Sequence, residues 1–219
     1  MDTQFNTVRE VQIPSGDVKL DGDLAIPPGA KGIVVFVHGS GSSRKSVRNR
    51  YVAGVIQQAG VATLLFDLLT PDEESVDMYT RHLRFDIALL AGRLLDTIEW
   101  LARMPETKDL KVGLFGASTG GAAALVAAAR SPEAISAVVS RGGRPDLAGE
   151  HLPRVSAPVL LIVGGDDGVV IGLNEEAAGK LNCECELKIV PGATHLFKEP
   201  GTLEEVARLA ADFFKDKIG

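Results

Sequence analysis

Two cysteines, one tryptophan and two tyrosines are few for 219 residues, and each scarcity excludes something. Cys183 and Cys185 have the spacing of neighbours on one face of a strand, where the geometry is poor for a mutual disulfide, and two ligands are too few for a structural zinc. Free thiols are expected, and with them a reducing compartment. Met1 to Arg9 carry no basic segment followed by an apolar core, and no apolar run approaches the length of a membrane span. The expected location is cytoplasmic, with no membrane partner. Positive charge is not in excess either: the net charge is −6, which argues against a general nucleic-acid binder and leaves a small molecule as the expected partner. Oligomeric state is left open by composition. With 45% hydrophobic residues and no repeat, low-complexity tract or linker, residues 1–219 are expected to form a single domain.

The apolar residues fall into an alternating order of strands and helices. Thr7 to Ile13 and Val18 to Ile26, separated by Pro14-Ser15-Gly16-Asp17, predict a hairpin of two edge strands. Unbroken apolar runs at Gly32 to Val37, Val61 to Phe66, Lys111 to Phe115, Ala134 to Ser140 and Ala157 to Val163 predict strands covered on both faces, and Glu184 to Val190 a last one. Between them, helices are predicted at Val47 to Ala59, Thr80 to Arg103, from Ala122 to Ala129 and at Ile171 to Leu181. A shorter helix begins near Thr70-Pro71-Asp72-Glu73, and Thr202 with Glu205 reads as a capping box for the final one. Such alternation implies a mostly parallel sheet with helices on both faces, an α/β fold of about eight strands. Arg144 to Val155 is too short for a cap domain, so little or no lid is expected.

Chemistry enters at Gly116-Ala117-Ser118-Thr119-Gly120, between a predicted strand and a predicted helix. A serine at the apex of so sharp a turn needs residues without side chains two before and two after it, and Gly116 and Gly120 meet that need. The pentapeptide alone is weak, since a tight turn with a buried serine reads the same way; its setting and the groups downstream strengthen it. A serine hydroxyl needs a base, and the base a carboxylate to set its tautomer. Of the four histidines, His38 and His82 come too early for the order serine, acid, histidine, and His151 precedes the acid-bearing loop, which leaves His195. Asp166 and Asp167 both follow the seventh strand; Asp167 is preferred, with Asp166 the alternative. The amides of Thr119 and Ser40 are the expected oxyanion donors. Arg141, at a strand end, is a candidate for binding an anionic acyl group, as is Arg44, although surface ion pairing explains either. The run Arg44, Lys45, Arg48 and Arg50 reads as a solvated face, and the phosphate-loop pattern is absent from the glycine-rich turn before it. No metal or organic cofactor is implied.

Taken together, His38-Gly39-Ser40-Gly41, the elbow at Ser118, Gly164-Gly165-Asp166-Asp167 and Gly192-Ala193-Thr194-His195 resemble an α/β hydrolase, similar to the small lidless dienelactone-hydrolase-like branch. The resemblance covers the chain from Gly32 onward and implies the α/β-hydrolase fold and a serine hydrolase. It would cleave a small carboxylic ester or thioester through an acyl-enzyme on Ser118. Dienelactone hydrolases carry cysteine at the elbow, where this chain has Ser118. A lactone hydrolase and a non-catalytic ligand-binding module on the same scaffold are the alternatives.

Overall fold

Residues 8–219 are described by a computed structural model. The beginning of the first predicted strand, at Thr7, and the reading of the leader over Met1 to Thr7 lie outside the described residues. Apolar runs make the middle of the sheet: β3 (Gly32–Val37), β4 (Ala62–Phe66), β6 (Ala137–Arg141) and β7 (Val159–Gly164) are buried at every position, and β5 (Lys111–Ala117) from Gly113 onward. Strands hidden on both faces require cover on both. With β1 (Arg9–Ser15), β2 (Val18–Ala25) and β8 (Cys185–Val190) they form one eight-stranded sheet in the order β1-β2-β4-β3-β5-β6-β7-β8. Pairing is antiparallel from β1 to β2 and from β2 to β4, and parallel from β4 to β8. β1 and β8 are the edges.

One face of the sheet carries α1 (Val47–Gln58) and α6 (Thr202–Ile218), which bury Val52, Ile56, Phe214 and Ile218 against Phe36, Phe115 and Ile162. The other carries α3 (Ile87–Arg103), α4 (Thr119–Arg130) and α5 (Gly168–Ala178), whose core includes Leu94, Leu101, Leu125 and Ala177. Each fully buried side chain of this size is worth about 1.5–3 kcal/mol. In α4 every residue from Thr119 to Ala129 is buried, because its small side chains let the helix lie directly on the strands and under the 3₁₀ turns of Pro145–Arg154. Those turns, kinked at Gly149, are the whole of the connection predicted to lack a cap domain.

Several boundaries differ from expectation, each for a local reason. Only β1 of the predicted hairpin is an edge; β2 is enclosed by pairing with β4. The long helix from Thr80 is broken. α2 (Pro71–Thr80), capped by a Thr70–Glu73 box, ends at Arg81 in the left-handed region (φ 56°). The buried carboxylate of Asp77 then accepts from the Leu83 amide (2.7 Å) and Arg84 Nε (2.5 Å), and Asp86 caps α3 through the Leu89 amide (2.9 Å). Periodicity ran through the break because Leu83 keeps the spacing of the stripe while lying in a 3₁₀ turn. The expected Thr202–Glu205 box is absent: Gly201, at φ 81°, is the N-cap, and the Thr202 hydroxyl donates backward to the Glu199 carbonyl (2.7 Å). β6 begins at Ala137 rather than Ala134, and α5 begins at Gly168 rather than Ile171. Cys185 lies in β8 with Cys183 just before it, and both thiols are free. Burial pushes the Cys185 thiol up to about 11, aided by neighbouring Cys183.

Candidate active site

β5 passes into α4 through Ser118, which has φ 52° and ψ −121°, a conformation a side-chain-bearing residue seldom adopts. The surroundings hold it there. The Ser118 amide donates to the Arg141 carbonyl (3.2 Å), and the Ser118 carbonyl accepts from the amides of Gly121 (3.0 Å) and Arg144 (3.1 Å). A Cβ on Gly120 would come within 2.1 Å of the Val37 carbonyl oxygen, and one on Gly116 within 2.5 Å of the Gly120 carbonyl oxygen. Those neighbours are backbone and cannot yield, so the glycines flanking Ser118 are dictated by the close passage of β3, β5 and α4.

The turn after β3 is shaped by His38, which is buried. Its Nε2 accepts from the Leu68 amide (3.0 Å), so Nδ1 carries the proton and donates to the Gly39 carbonyl (3.0 Å). Burial holds its pKa below the ordinary value, in keeping with a neutral structural ring. The loop delivers Ser40 to the elbow, where the Ser40 amide donates to Thr119 Oγ1 (2.9 Å). Thr119, first residue of α4, has an amide with no acceptor inside its own helix. The two amides predicted as oxyanion donors are thus brought together, with that of Ser40 engaged by the Thr119 hydroxyl.

His195 comes from the turn after β8 and Asp167 from the turn after β7. The His195 Nδ1 to Asp167 Oδ2 distance is 2.7 Å, whereas Asp166 is exposed and contributes a backbone bond to Ala193. Of the acidic doublet, Asp167 meets the histidine. Glu199 ties the turn from beneath, accepting from the Thr194 amide (3.0 Å) and hydroxyl (2.7 Å), and those bonds hold its carboxyl below the usual range. Gly142 packs on the imidazole: a Cβ there would lie 3.5 Å from His195 Nδ1 and Cε1. Ser118 and His195 line one open cleft of about 290 Å³ with Ser40, Arg48, Asn49 and Arg141. No direct hydrogen bond joins the Ser118 hydroxyl to the His195 ring among the described residues; such contacts commonly tighten only when substrate is bound.

The arginines divide in a way their sequence does not disclose. Arg44 leaves the cleft: it pairs with Asp67 (2.5 Å) and Asp23 (3.2 Å), and Arg50 (3.1 Å) and Lys45 (3.4 Å) reach Asp23 as well. Burial alone would raise the Asp23 pKa, but the bonds from Arg50 and Arg44 prevail and lower it. Arg48, read as part of a solvated face, lines the cleft instead, and Arg141 lies there as predicted. Arg48, Gly142 and Glu199 carried no signal of their own in the sequence. Among the described residues no three His, Cys, Asp or Glu side chains gather as a metal site, and no helix is long and apolar enough to cross a membrane.

A sheet in this order, with its reactive loops gathered beyond the carboxyl ends of parallel strands, defines an α/β hydrolase fold. The chain belongs to the dienelactone hydrolase family, whose model matches residues 20–218. The crystal structure of a dienelactone hydrolase from Anabaena variabilis is 60% identical, covers 98% of this chain and 99% of that one, and superposes with a TM-score of 0.96. Est1E from Butyrivibrio proteoclasticus, 18% identical over 94% of this chain and 98% of that one, shares the fold with a TM-score of 0.79. A Mycobacterium tuberculosis protein named "Putative phosphoribosyl transferase" is 60% identical over 95% of this chain. The chain spans about half, 46%, of the length of that relative. An Aquifex aeolicus protein named "Putative carboxymethylenebutenolidase" is 27% identical over 54% of this chain and 57% of its own length.

Proposed function

We propose that the chain is a serine hydrolase that cleaves a small carboxylic ester, or the related thioester, through an acyl-enzyme on Ser118. With the proton on His195 Nδ1 directed at Asp167, Nε2 keeps its lone pair and takes the Ser118 proton as Oγ forms a bond to the acyl carbon. The carbonyl π electrons move to oxygen, and the resulting oxyanion is met by the Thr119 amide and by that of Ser40, whose bond to the Thr119 hydroxyl is shared or exchanged at that moment. Collapse re-forms the carbonyl and breaks the ester C–O bond, and the imidazolium returns its proton to the leaving alcohol. Water, deprotonated by the same imidazole, then attacks the acyl carbon; the bond from that carbon to Ser118 Oγ breaks, the imidazolium returns its proton to Oγ, and the acid leaves. Asp167 stays ionised throughout and steadies the transient charge on His195.

The observation that carries this reading is that a serine held at a positive-φ apex and a histidine bonded to an aspartate open into one cleft. The names of the Anabaena variabilis and Aquifex aeolicus relatives extend the reading to lactones, which are cyclic esters open to the same steps. The transferase name belongs to a protein of which this chain matches less than half, and it sets no expectation for this cleft. An activated aryl ester should give a burst of one acyl-enzyme equivalent, and a fluorophosphonate should label Ser118. Ser118→Ala should abolish both; near-full turnover by that variant would end the proposal, and a wild-type protein that neither labels nor turns over esters would be a binding module.

A further inference from the structure

The positive charges of Arg48 and Arg141 have no carboxylate partner among the described residues, while Arg44 and Arg50 nearby each reach a carboxylate. Arg141, at the end of β6, is only 7% exposed, and its Nε and Nη1 have no hydrogen-bond partner among the described residues; the Nε of Arg48 is likewise buried and unpaired among them. What Arg141 does contact is weak: its Nη2 stands 3.5 Å from Asn49 Oδ1, and its guanidinium carbon lies 5.8 Å from the centre of the Phe197 ring. Burying a charge without a compensating group is costly, and a second like charge beside it adds repulsion. Arg141 registers both, pulled down to about 10 by burial first and by Arg48 second. Local rules of this kind are broken at sites where a ligand restores the balance. Arg48 and Arg141 are both among the residues that line the cleft containing Ser118 and His195.

We infer that Arg48 and Arg141 form a subsite for an anionic group on the acyl part of the substrate, and that two uncompensated charges favour a dianionic phosphate monoester over a carboxylate. The inference rests on Ser118 being the nucleophile, since it places the anion relative to the scissile bond. Planar guanidinium groups suit oxyanions by offering several N–H donors in fixed directions, and the one side-chain hydrogen bond Arg141 makes among the described residues, to Asn49 at 3.5 Å, is long enough to be given up for a ligand. A neutral acyl chain would leave both charges as they stand in the free protein, whereas a phosphate would neutralise them together.

Three aryl esters of matched chain length, with acyl groups ending in a methyl, a carboxylate or a phosphate, test this by kcat/KM in the wild type, Arg48→Gln and Arg141→Met. Inorganic phosphate, titrated calorimetrically, gives a reading independent of turnover. The phosphate ester should exceed the methyl ester by about tenfold or more, the scale of one charge-assisted hydrogen bond, and Arg48→Gln should bring that ratio toward one and weaken phosphate binding by a similar factor. Arg48 is partly exposed and carries the test should the buried Arg141→Met variant not fold. Equal kcat/KM for the three esters, or a ratio and phosphate affinity untouched by Arg48→Gln, would overturn the subsite. A carboxylate ester preferred over the phosphate ester would overturn the preference for a dianion. Fluorophosphonate labelling separates the two readings: a labelled Ser118 without anion preference sinks the subsite alone, and an unlabelled one sinks the nucleophile.

Discussion

Asp166 and Asp167 are adjacent in the chain and opposite in setting, and the pair gives a sharp test of the hydrolytic reading. Asp167 is bonded to His195 at 2.7 Å; Asp166 is exposed. Asp167→Asn would favour the imidazole tautomer with its proton on Nε2, where it cannot accept from Ser118, and kcat on an aryl ester should fall by about 10⁴. Asp166→Asn should leave kcat within about twofold, because it removes no bond to the ring. Comparable losses in both variants would mean that the loop, not the tautomer, governs the rate. The residues of the proposed machinery were legible before any coordinates because their chemistry is tied to order and spacing: glycines around a serine, an acid after one strand, a histidine after the next. Arg48 was not, since a basic residue in a run of basic residues looks the same whether it faces solvent or a cleft. Nor was the bond from the Ser40 amide to the Thr119 hydroxyl, which depends on two loops about eighty positions apart meeting at hydrogen-bond distance.

Secondary elements were legible where burial is uniform and obscure where a side chain interrupts the backbone. The central strands declare themselves through unbroken apolar runs, whereas the join between α2 and α3 is decided by Asp77 and Asp86 capping amides that periodicity does not register. The same region yields a prediction about stability. Glu73 closes the α2 capping box and is bonded to Arg93 of α3 through Oε1 (2.5 Å) and Oε2 (2.7 Å), so it fastens one helix to the other. The Arg93 bonds hold its carboxyl below the ordinary glutamate value of 4.5. That contribution is complete above the unfolded value and is lost as pH falls through the lower folded one. Glu73→Gln should therefore cost about 2 kcal/mol at neutral pH and flatten the decline in stability below pH 4.5. Hydrogen exchange should quicken first across residues 71–80. Unchanged exchange there would show that packing alone holds α2.

The described residues form a single sheet whose parallel part is closed over by helices and whose outer strands, β1 and β8, each pair on one side only. Sequence alternation predicts a mostly parallel sheet covered on both faces but not the order of its strands, and the insertion of β2 beside β4 needed the register itself, because an early hairpin can attach at either side of the sheet. The outer strand β8 sets Glu186, Lys188 and exposed Ile189 along a rim whose far side has no paired strand among the described residues. Unpaired amides and carbonyls on such a margin invite another chain to extend the ladder, and docking there would strip water from both charges. Lys188→Val should accordingly leave turnover intact while raising light scattering on warming, and a variant that stays as clear as the wild type would assign the protection elsewhere. Resistance to association along the outer strand thus depends on Glu186 and Lys188, two charged side chains that take no part in the proposed reaction.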